Sequence, residues 1–158
     1  MATEHFSVDG TLIQAWASHK NFVRKDDSDE PGSGGSFKRH KRSNKTHESR
    51  TDADPRLYRK GKTASELRLM GHTLSDNRHG LIASALVTQT DGYAEREAAK
   101  AMIHDARQVL TDEQSAITLG ADKGYDAKEF FDACIEMKVN PRVAQNTSGQ
   151  EFGRANAL

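Results

Sequence analysis

The stretch from Ile117 to Val143 constrains the fold more than any other part of the chain. It reads as a strand (Ile117-Thr118-Leu119), a turn (Gly120 to Tyr125), a helix and a final short strand (Arg142-Val143-Ala144). Asp126 suits a helix N-cap, and Glu129 three residues later completes the capping-box arrangement. Phe130, Phe131, Ala133, Cys134 and Met137 build the apolar face of that helix, which Asn140-Pro141 is expected to stop.

The rest of the chain supplies partners for this unit. His5 to Asp9 reads as a strand, with Phe6 and Val8 alternating with polar neighbours; Thr11 to Ser18 fits a strand or a turn of helix equally. Leu67–Thr73 and Leu81–Thr88 are apolar runs separated by the turn-forming Ser75 to Gly80, so they read as a hairpin. Ala94 to Leu110 is the clearest helix, with an apolar stripe of Ala98, Ala101, Met102, Ala106, Val109 and Leu110. Trp16 is expected to pack. The order is strand, long insertion, strand, strand, helix, strand, helix, strand. It predicts an α/β fold, with a mixed central sheet carrying helices on its faces.

A chain of 158 residues has room for one ordinary domain. We expect it over residues 1–148, with 24–64 as a flexible basic insertion and 149–158 as an unstructured tail. The insertion opens with an acidic, glycine-rich linker from Asp26 to Ser36 and continues as an irregular, exposed stretch to Lys62. Net charge is zero, yet Ser36 to Lys62 holds 10 Lys/Arg against 3 Asp/Glu. Such an excess can attract a polyanion, or it can be a solvated loop. The lone Cys134 excludes an internal disulfide, fits a reducing cytoplasm and reads as a small buried hydrophobe. No apolar run is long enough to span a bilayer. No phosphate-cradling glycine loop ending in Lys-Ser/Thr is present, so a nucleotide-binding class has little support.

Two acids could do metal chemistry. Mg²⁺ takes hard oxygen ligands, often one or two carboxylates with waters and phosphate oxygens. Asp9 ends one strand pattern and Asp122 follows another. Taken singly, each is more simply a turn aspartate.

Longer segments add a resemblance. HFSVDGTLIQAWAS (His5 to Ser18), RSNKTHESRTDADPRLYRKGK (Arg42 to Lys62), LRLMGHTLSDNRHGLI (Leu67 to Ile82), GYAEREAA (Gly92 to Ala99), LGADKGYDAKEF (Leu119 to Phe130) and VAQNTSG (Val143 to Gly149) together resemble bacterial insertion-sequence DDE transposases over residues 4 to 150. The resemblance implies a ribonuclease-H-like fold, Mg²⁺ or Mn²⁺ dependence, and phosphodiester hydrolysis and strand transfer at transposon ends. It makes Asp9 and Asp122 the first two catalytic, metal-holding aspartates. It makes Lys38, Arg39, Lys41, Arg42, Lys45, Arg56, Arg59, Lys60, Lys62 and Lys123 the DNA-binding cations, which give salt-dependent affinity without reading sequence.

The implied partners are transposon ends and target DNA, with a homo-oligomer possible in principle, and no membrane or small-molecule substrate. The implied location is the cytoplasm, at the nucleoid. The family's third carboxylate, a Glu, lies on a helix beyond Leu158, and its N-terminal helical segment lies ahead of residue 1. The resemblance therefore leads us to expect a piece shortened at both ends, with weak or absent strand cleavage. The alternative is a non-catalytic DNA-binding remnant of a transposase.

Overall fold

The computed structural model describes residues 3–17, 19–25, 42–110 and 116–145. The strands are β1 (Thr3–Gln14), β2 (Phe22–Arg24), β3 (His47–Ser49), β4 (Arg56–Tyr58), β5 (Glu66–Asp76), β6 (Leu81–Gln89), β7 (Ala116–Ala121) and β8 (Val139–Val143). The helices are α1 (Ala94–Val109) and α2 (Lys128–Glu136). Six strands pair in the order β4-β5-β1-β7-β8, with β6 also on β5; β2 and β3 form a separate antiparallel pair. Strands β1, β7 and β8 are mutually parallel. Strand β5 runs against β1, because the Asn77 amide donates to His5 O while the Ala15 amide donates to Leu67 O. An antiparallel hairpin on one side of the first strand and parallel strands on the other make this a mixed α/β sheet of the ribonuclease-H-like kind, as expected.

The chain divides into two compact units. The first comprises Met1–Asp9, Thr73–Ala85 and Glu95–Leu158. Its core is Phe6, Val8, Leu74, Ala98, Ala99, Met102, Ile103, Ile117, Leu119, Tyr125, Phe130, Cys134 and Val139, all buried. Alternation explains the strands: Phe6 and Val8 turn inward on β1, as Ile117 and Leu119 do on β7. Helix α1 buries Ala94, Ala98, Ala99, Met102 and Ile103. The expected stripe is therefore rotated: Ala98 and Met102 belong to it, whereas Ala101 and Val109 are exposed. In an alanine-rich helix several faces look apolar, and Ile103 decides which one turns inward.

Helix α2 starts later than Asp126 predicts. Asp126 closes a 3-10 turn over Lys123–Tyr125, and its amide donates to Lys123 O. The α2 N-cap is Ala127, with no side-chain cap. Nor does Pro141 end the helix. Lys138, at φ 58°, turns the chain, and Asn140 and Pro141 already lie in β8. A proline is tolerated there because, among the described residues, β8 pairs with β7 alone and forms one end of the sheet. Arg107 of α1 ties this turn down, donating to Met137 O (3.2 Å) and Lys138 O (2.7 Å).

The second unit comprises Gly10–His72 and Leu86–Ala94. Thr11 to Ser18, left open by the sequence, continues β1 as far as Gln14. The region expected to be irregular carries β3 and β4. Phe22 stacks on His47 with ring centroids 5.5 Å apart, and Asn44 bonds both the amide (2.7 Å) and the carbonyl (3.0 Å) of Leu57. Trp16 does not pack: it is 99% exposed. His72 is buried on β5, and its Nε2 lies 2.8 Å from the Thr88 hydroxyl. No helix among the described residues is long and apolar enough to cross a membrane.

Candidate metal centre

The parallel pairing of β1 with β7 sets Phe6 beside Leu119 and Ser7 beside Gly120. Carried two residues further, the same register brings Asp9 level with Asp122. The backbone of Asp122 is still extended (φ −77°, ψ 178°), so the pleat continues to it. Phe6, Val8, Ile117 and Leu119 are buried, so Ser7, Asp9, Gly120 and Asp122 share the opposite face. Both aspartates are exposed. Two acids far apart in the chain thus stand abreast, Asp9 within β1, which runs on past it to Gln14, and Asp122 directly after β7.

The surroundings hold them in place. Asn77, in the turn between β5 and β6, donates its side-chain amide to Ser7 Oγ at 2.9 Å. Gly120 admits Ser7 closely, since a Cβ there would stand 3.2 Å from its Oγ. Asp122 caps the 3-10 turn: its Oδ1 accepts from the Gly124 amide at 2.7 Å. Arg96 of α1 donates to Gly124 O at 3.2 Å and pairs with Glu129 at 3.4 Å, so the turn is also gripped from the helix.

Sequence reasoning missed one neighbour of Asp122. Glu95, half-buried in the first turn of α1, points its Oε2 at residue 124, where a Cβ would lie 3.4 Å from it and 3.0 Å from Asp122 Oδ1. Gly124 thus leaves a cradle between two carboxylates that any side chain would fill. Tyr125 lies beneath, only 2% exposed, its ring tilted against Phe130. Its hydroxyl is fully buried without a hydrogen-bond partner. An unsatisfied buried hydroxyl costs about 1–3 kcal/mol. Burial, and then the charges of Glu95, Asp122 and Asp9, push this phenol far above the usual tyrosine range. It therefore stays neutral. The GYAEREAA segment carried the only sequence signal for Glu95, an acid where a helix begins after a hairpin.

A divalent cation such as Mg²⁺ takes hard oxygen ligands, and Asp122 and Glu95 put carboxylate oxygens at the space that Gly124 leaves open. As the side chains stand, no three His, Cys, Asp or Glu among the described residues are placed to hold an ion together.

The expected DNA-binding cations fall into separate groups. Lys45, Arg59, Lys60 and Lys62 are exposed in the second unit, and Arg42 is half-buried. Arg56 is half-buried and ties its own loop, donating to Ala53 O at 2.5 Å. Lys123 is exposed in the first unit, next to Asp122. Lys38, Arg39 and Lys41 lie outside the described residues.

No family model matches the chain, and no curated protein does. Among solved structures, the chain is similar to the Mos1 mariner paired-end complex with Mn, at 11% identity and a TM-score of 0.44, over 87% of this chain and 34% of that one. It is also similar to the Mos1 transposase paired-end complex with left transposon end, at 8% identity and a TM-score of 0.42, over 87% and 34%. A pre-cleavage Mos1 transpososome gives 8% identity and a TM-score of 0.42, over 87% and 35%. The chain spans about a third of the length of those transposase chains. Likeness at this level transfers no activity.

Proposed function

We propose that this chain carries the acidic site of a metal-dependent DNA-transposing protein, with Asp9 and Asp122 holding Mg²⁺ or Mn²⁺. The single observation that supports the reading is the β1–β7 register, which, carried two residues beyond the Ser7–Gly120 pair, brings Asp9 level with Asp122. A bound divalent cation there supplies positive charge where phosphoryl transfer builds up negative charge. The chain's own residues do the rest. The Gly124 amide fixes one oxygen of Asp122. Lys123 offers a phosphate contact beside the acids. Arg42, Lys45, Arg59, Lys60 and Lys62, with Lys38, Arg39 and Lys41, supply sequence-independent affinity for a DNA backbone, and Arg56 supports the loop that carries them. The reaction assigned is hydrolysis and strand transfer at transposon ends.

One observation favours a second reading, DNA binding without cleavage: the described acids do not converge as a group of three. Incubation of the purified chain with Mn²⁺ and a plasmid bearing the genomic flanks of its own gene separates the two. Nicking that disappears in both Asp9→Asn and Asp122→Asn supports the transposing site. Salt-sensitive DNA binding that persists in both variants, with no nicking by any of them, supports the second reading. Absence of any DNA affinity at low salt ends both.

A further inference from the structure

We propose that two copies of this chain pair through β6, antiparallel and about a two-fold axis at Ala85, so that their sheets join into one. Among the described residues β6 pairs with β5 alone, and its second edge presents a row of backbone amides and carbonyls that no other strand takes up. Proteins blunt such edges by keeping them short or by placing charge or proline on them. The other margins of this sheet follow that rule: β4 has three residues, and β8 carries Pro141 and Arg142. Strand β6 does not. Its nine residues, Leu81–Gln89, include no charge and no proline, in a chain of which 29% is charged. Leu81, Ile82 and Val87 are 65%, 64% and 62% exposed. An edge of this length and composition is a template for another strand.

The strand's own sequence identifies the occupant as a second copy. An antiparallel pair centred on Ala85 sets Ala83 of one copy opposite Val87 of the other, Ser84 opposite Leu86 and Ile82 opposite Thr88. Val87 and Leu86 thus each meet a small side chain, and at the axis Ala85 meets Ala85, where two charged residues would repel. The alternation agrees. Ala83, Ala85, Val87 and Gln89 are exposed, whereas Ser84, Leu86 and Thr88 are half-buried. Residues directly opposite point to the same side, so the half-buried face of one strand continues that of the other. Charge points the same way: an uncharged edge offers nothing to a charged partner strand, while self-pairing brings no like charges together. A two-fold axis makes every such contact twice, which is the commonest form of self-association. The pairing stands apart from the acidic site.

Sedimentation velocity of the full chain over a range of concentrations tests this. Ala85 is the probe, because its side chain is exposed and little packing is lost when it is replaced. Wild type is expected to pass from monomer to dimer as concentration rises. Ala85→Lys and Ala85→Glu should each stay monomeric, and an equimolar mixture of the two should recover the dimer. Val109→Lys, exposed on α1 and away from β6, should dimerise as wild type does. Circular dichroism melts check that each variant folds. Ala85→Cys adds no charge, and mild oxidation should join two copies covalently, since opposed residues lie about 4.5–5.5 Å apart at Cα. Cys134 is buried and does not compete. A wild type that is monomeric throughout, a dimer that persists in both charged variants, a mixture that stays monomeric, or an Ala85→Cys chain that does not cross-link overturns the pairing.

Discussion

Gly124 donates its amide to Asp122 Oδ1 at 2.7 Å, and a Cβ on residue 124 would stand 3.0 Å from that same oxygen. The glycine is present for space. Its φ is not in the left-handed region, so alanine meets no backbone penalty there. Gly124→Ala should displace the Asp122 carboxylate while changing unfolding stability by less than about 1 kcal/mol. The expected outcome is a Mn²⁺ affinity lowered roughly tenfold, about 1.4 kcal/mol of binding energy, at a nearly unchanged melting temperature in EDTA. Undiminished affinity would show that the carboxylate is not confined by this contact.

Tyr125 gives a prediction with opposite signs in the absence and presence of metal. Phenylalanine keeps the ring against Phe130 and removes the unsatisfied hydroxyl. Tyr125→Phe should therefore be more stable than wild type in EDTA, by about 1 kcal/mol in denaturant unfolding, and should gain less from added Mg²⁺. The pH dependence follows from the raised pKa. The unfolded phenol ionises near its ordinary value of 10, while the folded one resists. The stability this contributes is complete below pH 10 and is lost as pH rises beyond it. Urea titrations of both proteins from pH 8 upward, at roughly half-unit steps, should show a steeper alkaline decline in wild type than in the variant.

The sheet was legible where local pattern and long-range structure agree. Phe6/Val8 and Ile117/Leu119 alternate because one face of each strand is buried, and that period survives in a single sequence. Strands β2 to β4 were not legible. A three-residue strand has no period to read; Phe22–Arg24 exists because it meets His47–Ser49. The failure at Asp126 has a related cause. The cap pattern was real, but Asp122 had already begun a 3-10 turn whose closure takes up Asp126. Asp9 and Asp122 were found because each follows a readable strand pattern, although β1 itself runs on past Asp9 to Gln14. Glu95 was not, because its nearness to Gly124 depends on where α1 lies, which no local pattern encodes.

His72 makes acid sensitivity a property of the second unit. Its ring is buried, Nε2 meets Thr88, and Nδ1 has no hydrogen-bond partner, so burial lowers its pKa below the ordinary 6.5. The folded chain keeps the ring neutral, whereas the unfolded chain protonates it. The resulting stability is present above pH 6.5 and is lost as pH falls through the folded value. His72→Gln, whose amide can take the place of Nε2 beside Thr88, should flatten the decline between pH 7 and 5. Denaturant midpoints across that range, set beside wild type, check it; parallel curves would mean that other groups govern acid unfolding.

Trp16 is the only tryptophan, and its side chain lies almost wholly in water. Its emission should therefore be strongly red-shifted and open to acrylamide quenching, and Trp16→Ala should leave the melting temperature unchanged because no packing is lost. An indole held in water is costly unless something covers it, and a nucleic acid base offers a flat apolar face. Stacking on one base is worth about 1–3 kcal/mol. If DNA binding uses this ring, single-stranded oligonucleotide should quench the emission, and Trp16→Ala should weaken affinity by roughly 5- to 150-fold. The weakening should be largely independent of salt, whereas replacing Lys60 and Lys62 by alanine should lower the salt dependence itself. Quenching absent at saturating oligonucleotide, or an unaltered affinity in the variant, would show that Trp16 takes no part in any DNA binding by this chain.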